Sequence, residues 1–382
     1  MFSRQGVRNS SGSFDSEFSW FVLCHLLNEG LYRQFILLSC FILQIILIRK
    51  RIVLVSVGII ANPSSGKDIR RLVSQSRVVT NQEKINILKR IYAGLVASGV
   101  RNVLLMPDYG RLAITAAEEF EGPLSFKSLE VFIRNKEEDT VDSVKKLVDA
   151  GADAIIVLGG DGTSRAACKN IGEIPLLPIS TGTNNVFPYM IEGTLAGLAT
   201  GFIASGQVTD KECIPRYQAL SVEHSDGSSE ISLVDVAISS EHYVGARAIW
   251  DISTVSDLFL SIAEPYSIGL SAIGGAIHPV GREETTALHL KLNHSNPRHR
   301  VMAPVIPGHV QNVGYDDFTI MTVGHPITID SYPRTIALDG ERALVLREGD
   351  SATVTLVSEG PWTIDPYKTL RAAASKKLFN LQ

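Results

Sequence analysis

The stretch that decides the fold is Ala154-Ile155-Ile156-Val157-Leu158-Gly159-Gly160-Asp161-Gly162-Thr163. Its first five residues are uninterrupted apolar sequence, as expected of a strand covered on both faces in a parallel sheet. Glycines then end the strand, and the spacing predicts a helix beginning near Thr163. Open α/β sheets bind ligands outside the carboxyl ends of their strands, which is where Gly159 to Thr163 would lie.

Working outward, strand and helix alternate. Ile52 to Ile60 reads as a strand ending in the polar turn Asn62-Pro63-Ser64-Ser65-Gly66-Lys67. Residues 82–98 carry Ile85, Leu88, Tyr92 and Leu95 at helical spacing, between Asn81 as N-cap and Gly99 as stop. Strands are predicted at Val103 to Met106 and Leu129 to Ile133, with helices at Leu112 to Phe120 and Val141 to Val148. Beyond about residue 210 helical periodicity gives way to short strands, among them Tyr217 to Val222, Ile231 to Ser239 and Phe318 to Val323. Asp339-Gly340 is a hairpin-type dipeptide between two of these strands, and Tyr367 to Leu381 has the period of a closing helix. The fold class read from this pattern is α/β: a doubly wound Rossmann-like N-terminal domain followed by a mainly β domain. The expected divisions are an extension over 1–50, the nucleotide domain over 51–200, the β domain over 201–365, and a helix over 366–382 that returns to the first domain.

The turn after the decisive strand carries chemistry. Glycines there let backbone N–H groups approach phosphate oxygens, and the N-terminus of the following helix favours the same anion. Asp161 is the one charged group in the turn. A carboxylate beside phosphate is unfavourable unless it binds a metal or takes a proton from an attacking hydroxyl, so its place suggests phosphoryl transfer. The alternative is an Asp chosen for turn geometry, with Thr163 as helix cap. Two further Gly-containing loops, Asn62 to Lys67 and Ser180-Thr181-Gly182-Thr183-Asn184-Asn185, follow other strands and can converge on the same sheet edge. Lys67, with Arg70 and Arg71, could neutralise phosphate. Spacing excludes a Walker A loop, because Gly66-Lys67 is followed by Asp68, and the missing last glycine excludes the GxGxxG dinucleotide fingerprint.

These three loops resemble those of the ATP-NAD kinase family and its diacylglycerol and sphingosine kinase relatives. The resemblance runs from about Val53 to Lys368, and Gly274-Gly275-Ala276-Ile277-His278-Pro279 is similar to the Gly-Gly-Pro-Ile-x-His-Pro region of NAD kinases. The overall look is nearest the acetoin catabolism protein X group within that superfamily. The resemblance implies that Asp161 takes the proton from the 2′-hydroxyl of NAD's adenosine ribose as it attacks the γ-phosphate of ATP. It implies that Gly159, Gly160, Gly162 and Thr163 hold phosphates together with Asn62, Ser65, Gly66, Lys67, Thr181, Gly182 and Thr183. Mg²⁺ is expected with ATP rather than on fixed protein ligands. Asn184 matches the family's substrate-contacting asparagine. Two departures stand out: the family's Asn-Glu pair is Val234-Asp235 here, and its Thr-Pro-Thr-Gly-Ser segment is replaced around Ala263 to Ser267. The donor half of the site is thus retained and the acceptor half altered. Three functions follow: a kinase with NAD as first acceptor, a kinase for another alcohol (metabolite or lipid), or a nucleotide-binding regulatory protein without turnover.

Composition bounds these readings. The chain has 382 residues, 45% hydrophobic and 20% charged, and 36 Lys+Arg against 40 Asp+Glu leave a net charge of −4, so a folded globular body is expected and nucleic acid is not a partner. Cys24, Cys40, Cys168 and Cys213 form no CxxC pair, and the histidines no ligand spacing, so no structural metal or disulfide framework is indicated and a reducing, cytoplasmic setting is expected. Residues 35–48 are apolar with a basic flank but span about 14 residues, against about 20 for a membrane helix. Residues 1–50 therefore read as a targeting, anchoring or peripheral extension, with membrane contact through 35–48 left open. A homo-oligomer is expected.

Overall fold

In the computed structural model, residues 55–67, 78–182, 184–241, 251–329 and 334–380 are described. The expectations for residues 1–50, for Arg70 and Arg71 and for Thr183 lie outside them. Five strands form a parallel sheet in the order β3-β2-β1-β4-β5: β1 (Ser56–Ala61), β2 (Asn102–Leu105), β3 (Ser125–Ser128), β4 (Ala154–Gly159) and β5 (Leu176–Ser180). The third strand is Ser125–Ser128 rather than Leu129 to Ile133: pairing with β2 recruits polar residues of an edge strand, and Leu129 is instead buried just beyond it.

The apolar run of β4 is explained by its two buried faces. Ala154, Ile156 and Leu158 join Val57 and Ile59 of β1 in one core, while Ile155 and Val157 join Ile60 in the other. The first core is roofed by helix α1 (Asn81–Ala97), α2 (Leu112–Glu118) and α5 (Gly193–Ala204). α1 and α5 approach backbone to backbone, since a Cβ on Gly94 would lie 2.2 Å from the Thr194 carbonyl oxygen. Helix α3 (Glu137–Asp149) covers the other face, and helix α4 (Asp161–Cys168) starts at Asp161 itself, two residues before Thr163.

Two antiparallel sheets complete the chain. One has the order β11-β12-β10-β9-β8-β14-β15, formed by β8 (Asp235–Ser239), β9 (Val255–Leu260), β10 (Thr286–Leu292), β11 (His299–Ile306), β12 (His309–Thr322), β14 (Arg334–Leu338) and β15 (Glu341–Leu346). The other has the order β13-β16-β6-β7, formed by β6 (Ala219–His224), β7 (Ser229–Ser232), β13 (Pro326–Ile329) and β16 (Ala352–Val357). The single strand expected over Ile231 to Ser239 is two strands in different sheets, because buried Leu233 and Val234 carry the chain from one sheet to the other. Likewise the expected Phe318 to Val323 strand is the end of the much longer β12. Short helix α6 (Leu270–Gly275) packs beneath the larger sheet, and α7 (Pro366–Ser375) places Leu370 and Ala373 in the first core, beside α5. Tyr217, Leu233, Val234 and Ile262 pack into the α3 face of the parallel sheet, so both domains share that core. No helix among the described residues is long and apolar enough to cross a membrane.

Candidate active site

Strands β1 and β4 are neighbours from which the chain proceeds to opposite edges of the sheet, so the loops leaving their carboxyl ends flank a crevice. A cavity of about 610 Å³ opens there, lined by Asn62 to Lys67, Gly160 to Thr163, Gly182, Asn184 and the Asp339 turn. That volume suits a small-molecule site, for which about 300–1,000 Å³ is usual.

The loop after β1 is organised by a residue the sequence reading missed. Lys84 of α1 is 0% exposed and its ammonium donates to the carbonyls of Asn62 (2.9 Å), Pro63 (3.3 Å) and Ser65 (2.9 Å), using all three N–H groups. Burial, then nearby Lys67, pulls its pKa down to about 8, against the opposing pull of Asp108. In a trans peptide the N–H is antiparallel to the carbonyl, so the Gly66 amide points away from the ammonium. Gly66 has φ +72 and its Cβ position is 2.9 Å from the Thr181 carbonyl oxygen, so a side chain there meets both strain and a clash. The local signal for Lys84 was its spacing: it stands on the apolar stripe with Leu88, Ile91 and Leu95.

The loops are stitched to one another. Asn62 Nδ2 donates to Thr163 Oγ1 at 2.8 Å, and the hydroxyls of Ser65 and Thr181 are 2.7 Å apart. Thr163 is therefore a loop tie rather than a helix cap. Thr181 and Gly159 do not line the cavity: a Cβ on Gly159 would meet the Thr163 side chain at 2.6 to 2.8 Å, so this glycine is required by packing rather than by phosphate approach. Gly162 differs, since a Cβ there meets nothing nearer than the Glu341 carboxylate at 3.5 Å. Lys67 is exposed at the cavity rim.

Asp161, the first residue of α4, is 7% exposed, and its carboxylate accepts the amide N–H of Val186 (3.2 and 3.1 Å) and of Phe187 (2.8 Å). The helix N-terminus and two amides thus fix an anion at the cavity wall. Asn184 lines the same cavity, and its Oδ1 is buried with no hydrogen-bond partner among the described residues.

The second domain supplies the opposite wall. Asp339 (φ +51) and Gly340 (φ +72) form the two-residue turn between β14 and β15, with Leu338 opposite Glu341, so the hairpin reading of this dipeptide fits. Yet Asp339 also lines the cavity. Its Oδ1 accepts from Ser232 Oγ (2.7 Å) and the amides of Leu233 (2.9 Å) and Val234 (2.8 Å), while Arg165 Nε approaches Oδ2 at 3.4 Å. Burial pushes the Asp339 carboxyl above the ordinary carboxylate range, with Arg165 the leading opposing influence. Arg165, 3% exposed and one helical turn beyond Asp161, also reaches Glu137 (3.1 Å) and Glu230 (3.6 Å), tying α3, α4, β7 and the turn together. Asp235 is buried, and its Oδ1 accepts the Gly340 amide at 3.0 Å, at a small second hollow that it shares with Asp161 and Asn184. Its neighbour Val234 is 0% exposed and belongs to the core.

Around the large cavity, Asp108, Glu137, Asp139, Asp161, Asp339 and Glu341 outnumber Lys67 and Lys136 among the described residues. Among the described residues, no three such groups stand close enough to hold a metal by themselves. Such a lining fits a polyphosphate only when the polyphosphate arrives with a divalent cation.

Residues 57–208 match the ATP-NAD kinase N-terminal domain, and residues 218–359 match the acetoin catabolism protein X C-terminal domain. Over 334 residues the chain is 37% identical to the acetoin catabolism protein X of Cupriavidus necator, which covers 84% of this chain and 93% of that protein. Among solved structures it is similar to yeast NADH kinase complexed with NADH, at 17% identity and a TM-score of 0.44, over 86% of this chain and 89% of that one.

Proposed function

Since the chain belongs to the acetoin catabolism protein X family and carries an ATP-NAD kinase N-terminal domain, we propose that it transfers the γ-phosphoryl group of ATP to a hydroxyl acceptor. The 2′-hydroxyl of NAD's adenosine ribose is the first acceptor to test. The observation that carries the reading is the place of Asp161: a fixed carboxylate at the start of α4, on the wall of a cavity at the sheet's switch point.

In this reading the triphosphate lies along the Asn62–Lys67 loop, with Lys67 at the rim and Gly162 leaving room for its oxygens. Asp161 accepts the acceptor's proton as the acceptor's hydroxyl oxygen attacks the γ-phosphorus and the bond to the β,γ-bridging oxygen breaks, releasing ADP, and Asn184 offers its amide to the acceptor. Mg²⁺ arriving with the triphosphate fits the surplus of carboxylates; Glu341, whose carboxylate faces Gly162, would hold it together with the phosphates, and when bound it would neutralise charge on the phosphoryl oxygens.

A second reading, another alcohol in place of NAD, is favoured by one observation. Val234 is sealed in the core and the Asp235 carboxylate accepts the Gly340 amide, so the pair standing where NAD kinases have Asn-Glu does not offer the same contacts. Phosphate transfer from labelled ATP is measured with NAD and then a panel of metabolite and lipid alcohols, for wild type and Asp161→Asn. The substitution is expected to lower turnover by about 10³-fold. Equal rates in the two proteins remove Asp161 from the chemistry, and transfer to another alcohol but not to NAD selects the second reading.

A further inference from the structure

Arg282 lies between α6 and β10, far from the loops in sequence, yet its guanidinium donates to the carbonyls of Val186 and, at 2.7 Å, Phe187. It also lies 4.8 Å from the ring centroid of Tyr189, whose hydroxyl is 2.9 Å from that of Tyr217. The residues whose carbonyls it holds are the two whose amides hold Asp161.

The register of these bonds matters. The Val186 carbonyl and the Phe187 N–H belong to one planar peptide group. A chain of two hydrogen bonds therefore crosses a single peptide plane, from guanidinium to carbonyl oxygen and from amide to carboxylate oxygen. A cation on the oxygen polarises the amide at the other end, so the two bonds strengthen each other. The second carbonyl, that of Phe187, engages a separate nitrogen of the same guanidinium. The planar fork presents its two N–H donors in a fixed relation, whereas an ammonium's donors rotate on a flexible stem.

We propose that Arg282 is a positioning residue for Asp161, acting through the Val186–Phe187 peptide, so that the second domain sets the aim of a carboxylate carried by the first. The proposal rests on Asp161 being the reacting carboxylate, and it makes a claim about that carboxylate's placement that holds apart from turnover. A cation–π stack alone would keep Tyr189 in place without determining the direction of the Phe187 amide.

The test uses the full chain labelled with ¹⁵N-phenylalanine, in wild type, Arg282→Met and Arg282→Lys. Hydrogen exchange is followed at the Phe187 amide, assigned through Phe187→Tyr, with Phe259 in central strand β9 as internal control. Arg282→Met is expected to speed exchange at Phe187 by about tenfold while Phe259 stays unchanged, with Arg282→Lys in between. In the same proteins kcat is expected to fall by about 10²-fold in Arg282→Met, with the Kd for Mg-ATP unaltered. Unchanged exchange at Phe187, or a weakened Kd with kcat intact, overturns the proposal. Should Arg282→Met fail to fold, Arg282→Lys carries both readouts. A wild type without turnover on any acceptor defeats the kinase reading, while the exchange measurement still decides the placement of Asp161.

Discussion

The loop after β1 and the turn between β14 and β15 face the same cavity and are held by opposite charges. In the first, the buried ammonium of Lys84 gathers carbonyls of Asn62, Pro63 and Ser65; in the second, the buried carboxylate of Asp339 gathers the amides of Leu233 and Val234 and the Ser232 hydroxyl. A buried cation collects acceptors: at Ser65 this turns the opposite N–H, that of Gly66, away from the ammonium, whereas Pro63 has no N–H and the Ser64 N–H donates to Asn62 Oδ1 at 2.8 Å; a buried anion collects donors instead. The sign of the hidden charge beneath the β1 loop thereby sets which way the Gly66 amide faces. The β1 loop needs an outward donor to receive an anion, and the charge beneath it has the sign that leaves the Gly66 amide in that direction.

Removing the cation is the strongest way to break this contrast. Lys84→Met leaves carbonyls in the loop without a donor and is expected to cost about 3 kcal/mol in urea unfolding at pH 7. The pH dependence carries a further sign. Folded Lys84 releases its proton near pH 8, whereas the unfolded side chain keeps it to the ordinary value of 10.5. Between these values the unfolded chain binds more protons, so this group's contribution to wild-type stability rises with pH and the gap to Lys84→Met widens. A gap that is constant from pH 7 to pH 10 contradicts the buried ammonium.

Asp339→Asn probes the opposite charge, with an expected loss of about 2 kcal/mol, because an amide replaces a carboxylate that receives three donors and faces Arg165. Here the folded value is raised, so the folded state holds a proton that the unfolded chain has lost. The group's contribution is full below the unfolded value of 3.8 and is lost as pH rises through the folded one. Unfolding from pH 4 upward is expected to show the gap to Asp339→Asn narrowing, the reverse of the Lys84 trend.

The smallest effects separate the glycines. Gly159→Ala places a methyl against Thr163 and is expected to cost about 1–3 kcal/mol. Gly162→Ala has room, so its stability is expected to stay within about 0.5 kcal/mol while calorimetry shows weaker Mg-ATP binding. Equal destabilisation by both would remove the distinction between packing and ligand space.

Much of the first domain was legible because its signals are local. An apolar run closed by glycines announces a buried parallel strand, and three such strand ends place Asn62, Asp161 and Thr181 at one edge. The same reasoning did not reach the packing of Gly159 against Thr163, since their mutual contact depends on side-chain packing that periodicity does not encode. It also joined β7 to β8, because a change of sheet leaves the apolar pattern unbroken at Leu233 and Val234. Lys84 left a trace, a lysine on an apolar helical stripe, whereas Arg282 left none.

The chain's order of residues by itself determined where strands end in glycine-rich loops and that one acidic side chain stands in the most distinctive of them. Tertiary structure alone decided what holds that side chain and its neighbours. Lys84 reaches Asn62 across 22 residues, Arg282 reaches Val186 across 96, and Asp339 reaches Leu233 across 106. The physical reason is that a charge is tolerated in the interior only where polar partners converge on it, and convergence from such distances is a property of the folded chain rather than of any segment.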